Sequence, residues 1–510
     1  MATTPRPTVL LRLTEFVSSR RFFRLIVVVF VVEALWIALS GKYPMAFDED
    51  YHLGVIRLYA HHLSPFWSGQ PIGGDSFGAI ARDPSYLFQY VLSFPYRFIS
   101  SLTDNQTVQV LVLRGINIAL LATSLPLFRR LLTKTGASGG LVNVCLALFV
   151  LVPIVPLLGA QINYDNAFIP LTALVLLKTI QLSEELRANH TLPLRVFLEL
   201  LVLMLLTSLV KYAFLPIALA VATYVVIDMY RHLQLRNLWR GVRHQFSAIP
   251  MAFRWLLVIG LIVSAGLFVE RYGLNLAYYH KPVPDCGQVL TVQRCSAYGP
   301  WIRDYNLSNA NVDNSGNFGN PVTYTWTWLY GMWMRSFFAV DGPSSQFQTR
   351  GPFVMPAITA ALLAIIGVPL GLVYGRRLLR HHNKPLLILF VMVIGIYLAA
   401  LWVDAYDAFN RTGQPVAING RYLLPILLPL FLLVGLAYQK FLGHRLALKM
   451  SLTILVITAF LWGGGALTYI LRSNDAWYWP SPVVRSANHG LQRTLGPITP
   501  GITRPIEFLH

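Results

Sequence analysis

The chain has 510 residues, 55% of them hydrophobic and only 12% charged, with a mean hydropathy of +0.54. Soluble domains carry about 25% charged residues, so a water-soluble globular protein is excluded and an integral membrane protein is expected. The net charge is +19, but the cations are dispersed over many short segments, which argues against a nucleic-acid-binding face.

Eleven apolar windows are long enough to cross a hydrocarbon core of about 30 Å: 22–40, 108–128, 141–159, 164–182, 196–211, 212–230, 254–270, 353–374, 385–403, 421–439 and 448–471. The expected fold is an all-α polytopic membrane protein with about eleven transmembrane helices and no internal repeat. The first window follows a basic tail, residues 1–24, and no small-residue cleavage site comes after it, so it reads as a retained anchor. With this tail in the cytoplasm and the sides alternating, 23 of the 41 Lys and Arg fall in the tail and the five loops on its side. That is the positive-inside pattern, and it puts the C-terminus outside. Of the 22 acidic residues only Glu15, Glu184 and Glu185 lie clearly inside, which directs attention to the outer face.

The outer segments are the long ones. Residues 41–107 contain an aromatic, charge-poor stretch at 84–99 that suits helices lying in the membrane interface. Residues 271–352, rich in Asn, Gly, Tyr and Trp, read as an irregular lid with a helical return from about Tyr324. The transmembrane domain spans 25–471, and 472–510 form an outer tail. Cys286 and Cys295 share the second of these long loops, nine positions apart with no His between them, so a disulfide is favoured over a metal site. Cys145, inside a span, reads as a packed thiol.

About eight residues after the first span comes Phe47-Asp48-Glu49-Asp50-Tyr51-His52. Acidic triplets are usually solvated turns, but carboxylates this close to a bilayer are costly, and those beside an apolar wall gain basicity. A second acid, Asp165 in Asn163-Tyr164-Asp165, sits at the outer end of the third span. Cations accompany them on the same face: Lys211 between the fifth and sixth spans, Arg421 opening the tenth in Asn419-Gly420-Arg421-Tyr422, and the outer Arg57 and Arg335. Arg114 lies inside the second span, near enough to its outer end to snorkel. Arg pairs bidentately with phosphate and Lys adds a point charge, so this ring suits an anionic lipid headgroup.

An acidic motif just after the first span, a second acid between the third and fourth spans and large outer loops resemble the C-type (GT-C) glycosyltransferase superfamily. Phe47-Asp48-Glu49 with His52, Asn163-Tyr164-Asp165, Lys211-Tyr212 and Asn419-Gly420-Arg421-Tyr422-Leu423-Leu424-Pro425 look most like a poorly characterised bacterial membrane family within it. The likeness covers roughly 22–230 and 385–440. It implies inverting transfer from a polyprenyl-phosphate sugar donor to a glycan, lipid or protein acceptor at the outer face of the plasma (inner) membrane. On that likeness Asp48 is the base, Glu49 supports it, Asp165 positions base or acceptor, and Lys211, Arg421 and Arg57 hold the leaving phosphate. His52, Tyr422 and Arg335 complete the candidate set. Some members of the superfamily use a divalent metal; Asp48, Glu49 and Asp165 are hard oxygen donors of the kind Mg2+ or Mn2+ takes, and the sequence leaves metal dependence open. Two other readings compete: a lipid-linked polysaccharide polymerase or ligase, and a transporter or lipid flippase, for which paired broken helices and midplane charges are expected.

Overall fold

The computed structural model describes residues 9–234, 245–311, 319–337 and 355–498, and among these the only regular elements are helices. Among the described residues eight helical segments are long and apolar enough to cross a membrane. They are α2 (Arg20–Ser40), α5 (Gln106–Thr133), α8 (Asp165–Asn189), Tyr212–His232, which contains α10 (Leu215–His232), Met251–Tyr279, which begins with α11 (Met251–Phe268), α14 (Met355–His381), α15 (Lys384–Thr412) and Gly420–Leu442, which contains α16 (Leu424–Leu442). The other three apolar windows correspond to shorter helices: α6 (Gly139–Leu151), α9 (Leu194–Val210) and α17 (Leu446–Leu461). Local chemistry sets the boundaries. Ser19, Asn105, Ser138 and Asn383 each accept a backbone N–H at the start of α2, α5, α6 and α15, the ordinary N-cap solution for orphan amides. Gly413, at φ 67°, ends α15.

Two windows expected to be continuous are interrupted. The first breaks at Val152-Pro153, between α6 and α7 (Ile154–Gly159), because Pro153 has no N–H to donate and clashes with the preceding turn. The second breaks at Trp462-Gly463-Gly464-Gly465, between α17 and α18 (Leu467–Arg472). The breaks meet: Gly465 N–H donates to the freed Leu151 carbonyl at 2.8 Å. A Cβ on Gly464 would lie 2.4 Å from that carbonyl oxygen, so only glycine allows the approach. Irregular backbone inside a bundle is tolerated where protein satisfies it in this way.

Of these eight segments the most enclosed is α8, with 72% of its apolar window buried, whereas the Met251–Tyr279 window is 11% buried. Helix α8 packs along α5 and against α9 and α10. At one end of the bundle the first long loop folds into α3 (Glu49–Ala60) and α4 (Leu87–Leu102), the second of which falls on the aromatic stretch at 84–99. At the opposite end lie Arg129, Lys134, Glu184 and Asn383, where α5, α8 and α15 meet.

The long segment after α11 departs from expectation. Helix α13 (Pro321–Ser336) is the expected return, but α12 (Gly299–Asn311) is also helical where an irregular lid was expected. Its polar sequence carries no clear period. Trp301 and Tyr305 stack at 4.9 Å on one side of it, and Asn311 Nδ2 caps the α15 carbonyls of Asn410 and Arg411, so tertiary packing decides its conformation. The remainder of the expected lid, 312–318 and 338–352, lies outside the described residues. Cys286 and Cys295 form a disulfide, and Arg294 nearby holds Asp75 with two hydrogen bonds of 2.9 and 2.8 Å. That clasp seats Tyr298 on Gly78, so the second long segment covers the first.

Candidate active site

The acidic run begins in strained backbone. Phe47 and Asp48 have φ values of 57° and 65°, a region L-residues enter at a cost of about 1–2 kcal/mol each. Glu49 supplies the restraint. Its Oε1 accepts from Arg114 Nε (2.8 Å) and Ile162 N–H (3.2 Å), and its Oε2 from Arg114 Nη2 (2.8 Å) and Met45 N–H (2.7 Å). Arg114 spends Nη1 on the Ala38 and Gly41 carbonyls at 2.9 and 2.6 Å. Both side chains are wholly buried. Arg114 therefore does not snorkel; it turns inward because a carboxylate and two free carbonyls at the end of α2 offer it full pairing.

The turned Phe47 carbonyl is held in turn by Asn163 Nδ2 (2.7 Å) and Arg421 Nη1 (3.0 Å). Asn163 also accepts the Asp165 N–H through Oδ1 (2.9 Å), and its own N–H donates to Asn117 Oδ1 (3.2 Å). Asn117 was not singled out from sequence. Its signal was available: a polar side chain three residues after Arg114 on one face of an otherwise apolar span.

Four ionisable residues converge above this frame. Arg421 Nη2 donates to Asp48 Oδ2 at 2.7 Å, Lys211 Nζ to Asp165 Oδ1 at 2.5 Å, and Arg421 Nε lies 3.8 Å from Asp165 Oδ2. Asp165, Lys211 and Arg421 are buried, while the Asp48 side chain is 53% exposed and open to a ligand. Lys211 Nζ is ringed by Tyr164, Tyr422 and Phe168 at 4.5, 5.0 and 5.6 Å from the ring centres, a cation–π setting worth more once water is excluded. Enclosure pushes the Asp48 carboxyl up, but the charge and hydrogen bond of Arg421, joined by other nearby cations, hold it below the ordinary carboxylate range. Asp165 Oδ2 and Arg421 Nε have no hydrogen-bond partner among the described residues, so the cluster keeps unspent polar capacity.

The other candidates are placed as follows. His52, buried, has Nδ1 3.1 Å from the Gln89 amide and its ring 4.5 Å from Tyr164; desolvation pushes its imidazole down to about 3, so it is neutral. Arg335 sits in the loop contact beside Gly420, donating to the Ile418 carbonyl, and buttresses the turn that carries Arg421. Arg57 is not brought to the cluster: its Nε donates to Tyr96 OH at 3.2 Å, further along α3. Asp50 is exposed.

These donors do not fit Mg2+ or Mn2+. Both Glu49 oxygens are taken by Arg114 and backbone amides, and the Arg421 guanidinium lies where an ion bridging Asp48 and Asp165 would have to sit. Among the described residues no three His, Cys, Asp or Glu side chains gather to hold a metal.

Fold and site together define an all-helical, multi-pass membrane protein with a buried ion-pair cluster at one end of its bundle. None of the family models, curated proteins or solved structures compared with the chain matches it.

Proposed function

We propose that the protein is a membrane glycosyltransferase that moves a sugar from a polyprenyl-phosphate donor to a hydroxyl on a glycan, lipid or protein acceptor. In this reading the chain crosses the plasma membrane eleven times, with its N-terminus cytoplasmic and the Asp48 cluster on the outer face. The disulfide at the same end of the molecule, a feature of oxidising compartments, fits that orientation.

The observation that carries the reading is the meeting of Asp48, Asp165, Lys211 and Arg421, drawn from four distant segments, with one carboxylate left accessible. Two anions and two cations balance. A donor phosphate entering the cluster competes with Asp48 for Arg421, and losing that partner raises the basicity of Asp48 just when the acceptor must be deprotonated. Asp48 then takes the acceptor O–H proton, the acceptor oxygen bonds to the anomeric carbon, and the bond from that carbon to the phosphate oxygen breaks with inversion. Its electron pair leaves on the phosphate, which Arg421 and Lys211 neutralise. A phosphate leaves as a stable anion, so one working carboxylate is enough, in contrast to glycosidases.

Purified protein supplied with polyprenyl-phosphate sugar and an acceptor panel tests this. Asp48→Asn should lower transfer by about 10²–10⁴-fold with donor binding retained, and Arg421→Ala should weaken donor binding. Full turnover by Asp48→Asn would overturn the assignment.

One observation favours a second reading. The paired breaks in α6/α7 and α17/α18 meet beside Glu33 of α2, whose Oε1 would lie 2.0 Å from a Cβ on Gly465 and whose Oε2 is unpartnered among the described residues. Paired interruptions beside a mid-span acid are a transporter's signature. Lipid scrambling or transport by protein reconstituted in vesicles, lost on Glu33→Gln and kept on Asp48→Asn, would favour that reading.

A further inference from the structure

The end of the bundle opposite the Asp48 cluster carries a feature that neither reading uses. Between the first turns of α2 and the last turns of α5 lies a groove of about 450 Å³ lined by Phe23, Pro126, Arg129, Arg130, Thr133 and Lys134. Its floor is apolar and its rim basic. Arg129 is pre-set: its Nε donates to Asn143 Oδ1 at 3.2 Å and its guanidinium lies 4.9 Å above the Phe23 ring, which leaves its terminal nitrogens to a ligand. Arg130 is exposed, and its side chain has no hydrogen bond or ion pair among the described residues. Lys134 pairs with Glu184 at 2.6 Å. Arg20, one helical turn before Phe23 on the same face of α2, adds another cation. One carboxylate thus answers a cluster of cations.

A cation cluster in water needs no partner, but this one rims an apolar floor at the end of membrane-crossing helices, where headgroups meet acyl chains. A ligand that satisfies both halves carries a phosphate next to hydrocarbon. Guanidinium pairs bind phosphate oxygens bidentately, and basic pockets between membrane helices take anionic headgroups. We propose that this groove binds one anionic phospholipid from the leaflet at that end, its phosphate on Arg129 and Arg130 and its glycerol and upper acyl chain against Phe23 and Pro126. This lipid is distinct from any sugar donor, because the groove and the Asp48 cluster lie at opposite ends of α5 and α8. Occupancy also reaches α1 (Val9–Ser18): Asn143 Nδ2 donates to the carbonyls of Val17 (2.8 Å) and Ser19 (3.1 Å) at the α1–α2 junction.

Full-length protein in detergent micelles, titrated with phosphatidylglycerol and phosphatidylcholine of identical chains and followed by native mass spectrometry, tests the site. One phosphatidylglycerol should bind about tenfold or more tighter than phosphatidylcholine. Arg130→Gln, which breaks no internal contact, should weaken it about fivefold, and Arg129→Gln/Arg130→Gln about 30-fold. The equal charge loss in Arg376→Gln/Arg377→Gln, exposed on α14 at the same end, should change it less than about twofold. No preference for phosphatidylglycerol, an equal loss in the α14 pair, or displacement of the lipid by equimolar inorganic phosphate would each overturn the proposal.

Discussion

The Glu49–Arg114 pair offers the most demanding test, because it decides whether Glu49 acts on a substrate or holds the turn that presents Asp48. Both side chains are wholly buried, and four hydrogen bonds of 2.6–2.9 Å run from the guanidinium. Removing one member of such a pair leaves an uncompensated charge in a low-dielectric interior, at a cost of about 3–5 kcal/mol. Arg114→Met keeps the volume of the stem but strips Glu49 of its counter-charge and frees the Ala38 and Gly41 carbonyls. Glu49→Gln keeps the shape and strands the guanidinium. In Glu49→Gln/Arg114→Met both charges go together, and the remaining loss is that of a few backbone groups left without partners. The singles should therefore sum to about 7 kcal/mol, while the double variant loses about 4 kcal/mol, a coupling of about 3 kcal/mol. Unfolding by titration with a denaturing detergent, read by tryptophan fluorescence, measures all three. If Glu49→Gln unfolds with the wild type, or the double variant loses the full sum, the pair does not staple the turn.

Three further outcomes are expected. Gly420→Ala should cost stability and, if the proposed function holds, weaken binding of the proposed donor, because its Cβ would lie 2.2 Å from the Ser336 amide nitrogen and 2.4 Å from the Arg335 carbonyl carbon, driving the turn that bears Arg421 out of place; an unchanged melting temperature would count against it. Asn163→Leu should destabilise by about 1–3 kcal/mol by leaving the Phe47 carbonyl and Asp165 amide short of partners, and in the proposed transfer reaction it should lower turnover more than affinity for the proposed donor, which steady-state kinetics separates. His52, held neutral with its imidazole down at about 3, makes the fold acid-sensitive. Below pH about 6.5 the unfolded chain takes up a proton that the folded one refuses, so stability falls as pH falls, by about 2 kcal/mol between pH 7.5 and 5; His52→Gln should flatten that part of the profile.

Much of this architecture was legible in the amino-acid string, and for a simple reason. In a membrane a backbone amide is most readily satisfied within its own segment, so a long apolar run becomes a helix almost regardless of its neighbours; eight of the eleven apolar windows fall on helices long enough to cross among the described residues. The ends were legible through capping residues such as Ser19 and Asn105. Where backbone groups are shared between segments, local reading failed: the breaks at Pro153 and Gly463–Gly465 complete one another, and each window taken alone looked continuous. Helix α12 was missed for the same reason, since Asn311 finds its partners on α15.

The site divides in the same way. Sequence alone drew attention to the ionisable residues near the ends of the apolar runs, because such groups are costly there: Asp48, Glu49, Asp165, Lys211 and Arg421, but equally Arg57, Arg335 and Arg114. It could not assign their partners, since Asp48 and Arg421 are 373 positions apart and like residues at one depth look interchangeable along a chain. Tertiary structure decided that Glu49 and Arg114 neutralise each other in the frame, that Arg57 turns away to Tyr96, and that Arg421 stands between the two aspartates. The physical reason is that a hydrogen-bonded ion pair needs its groups within about 3 Å of one another, a distance that only the folded chain defines.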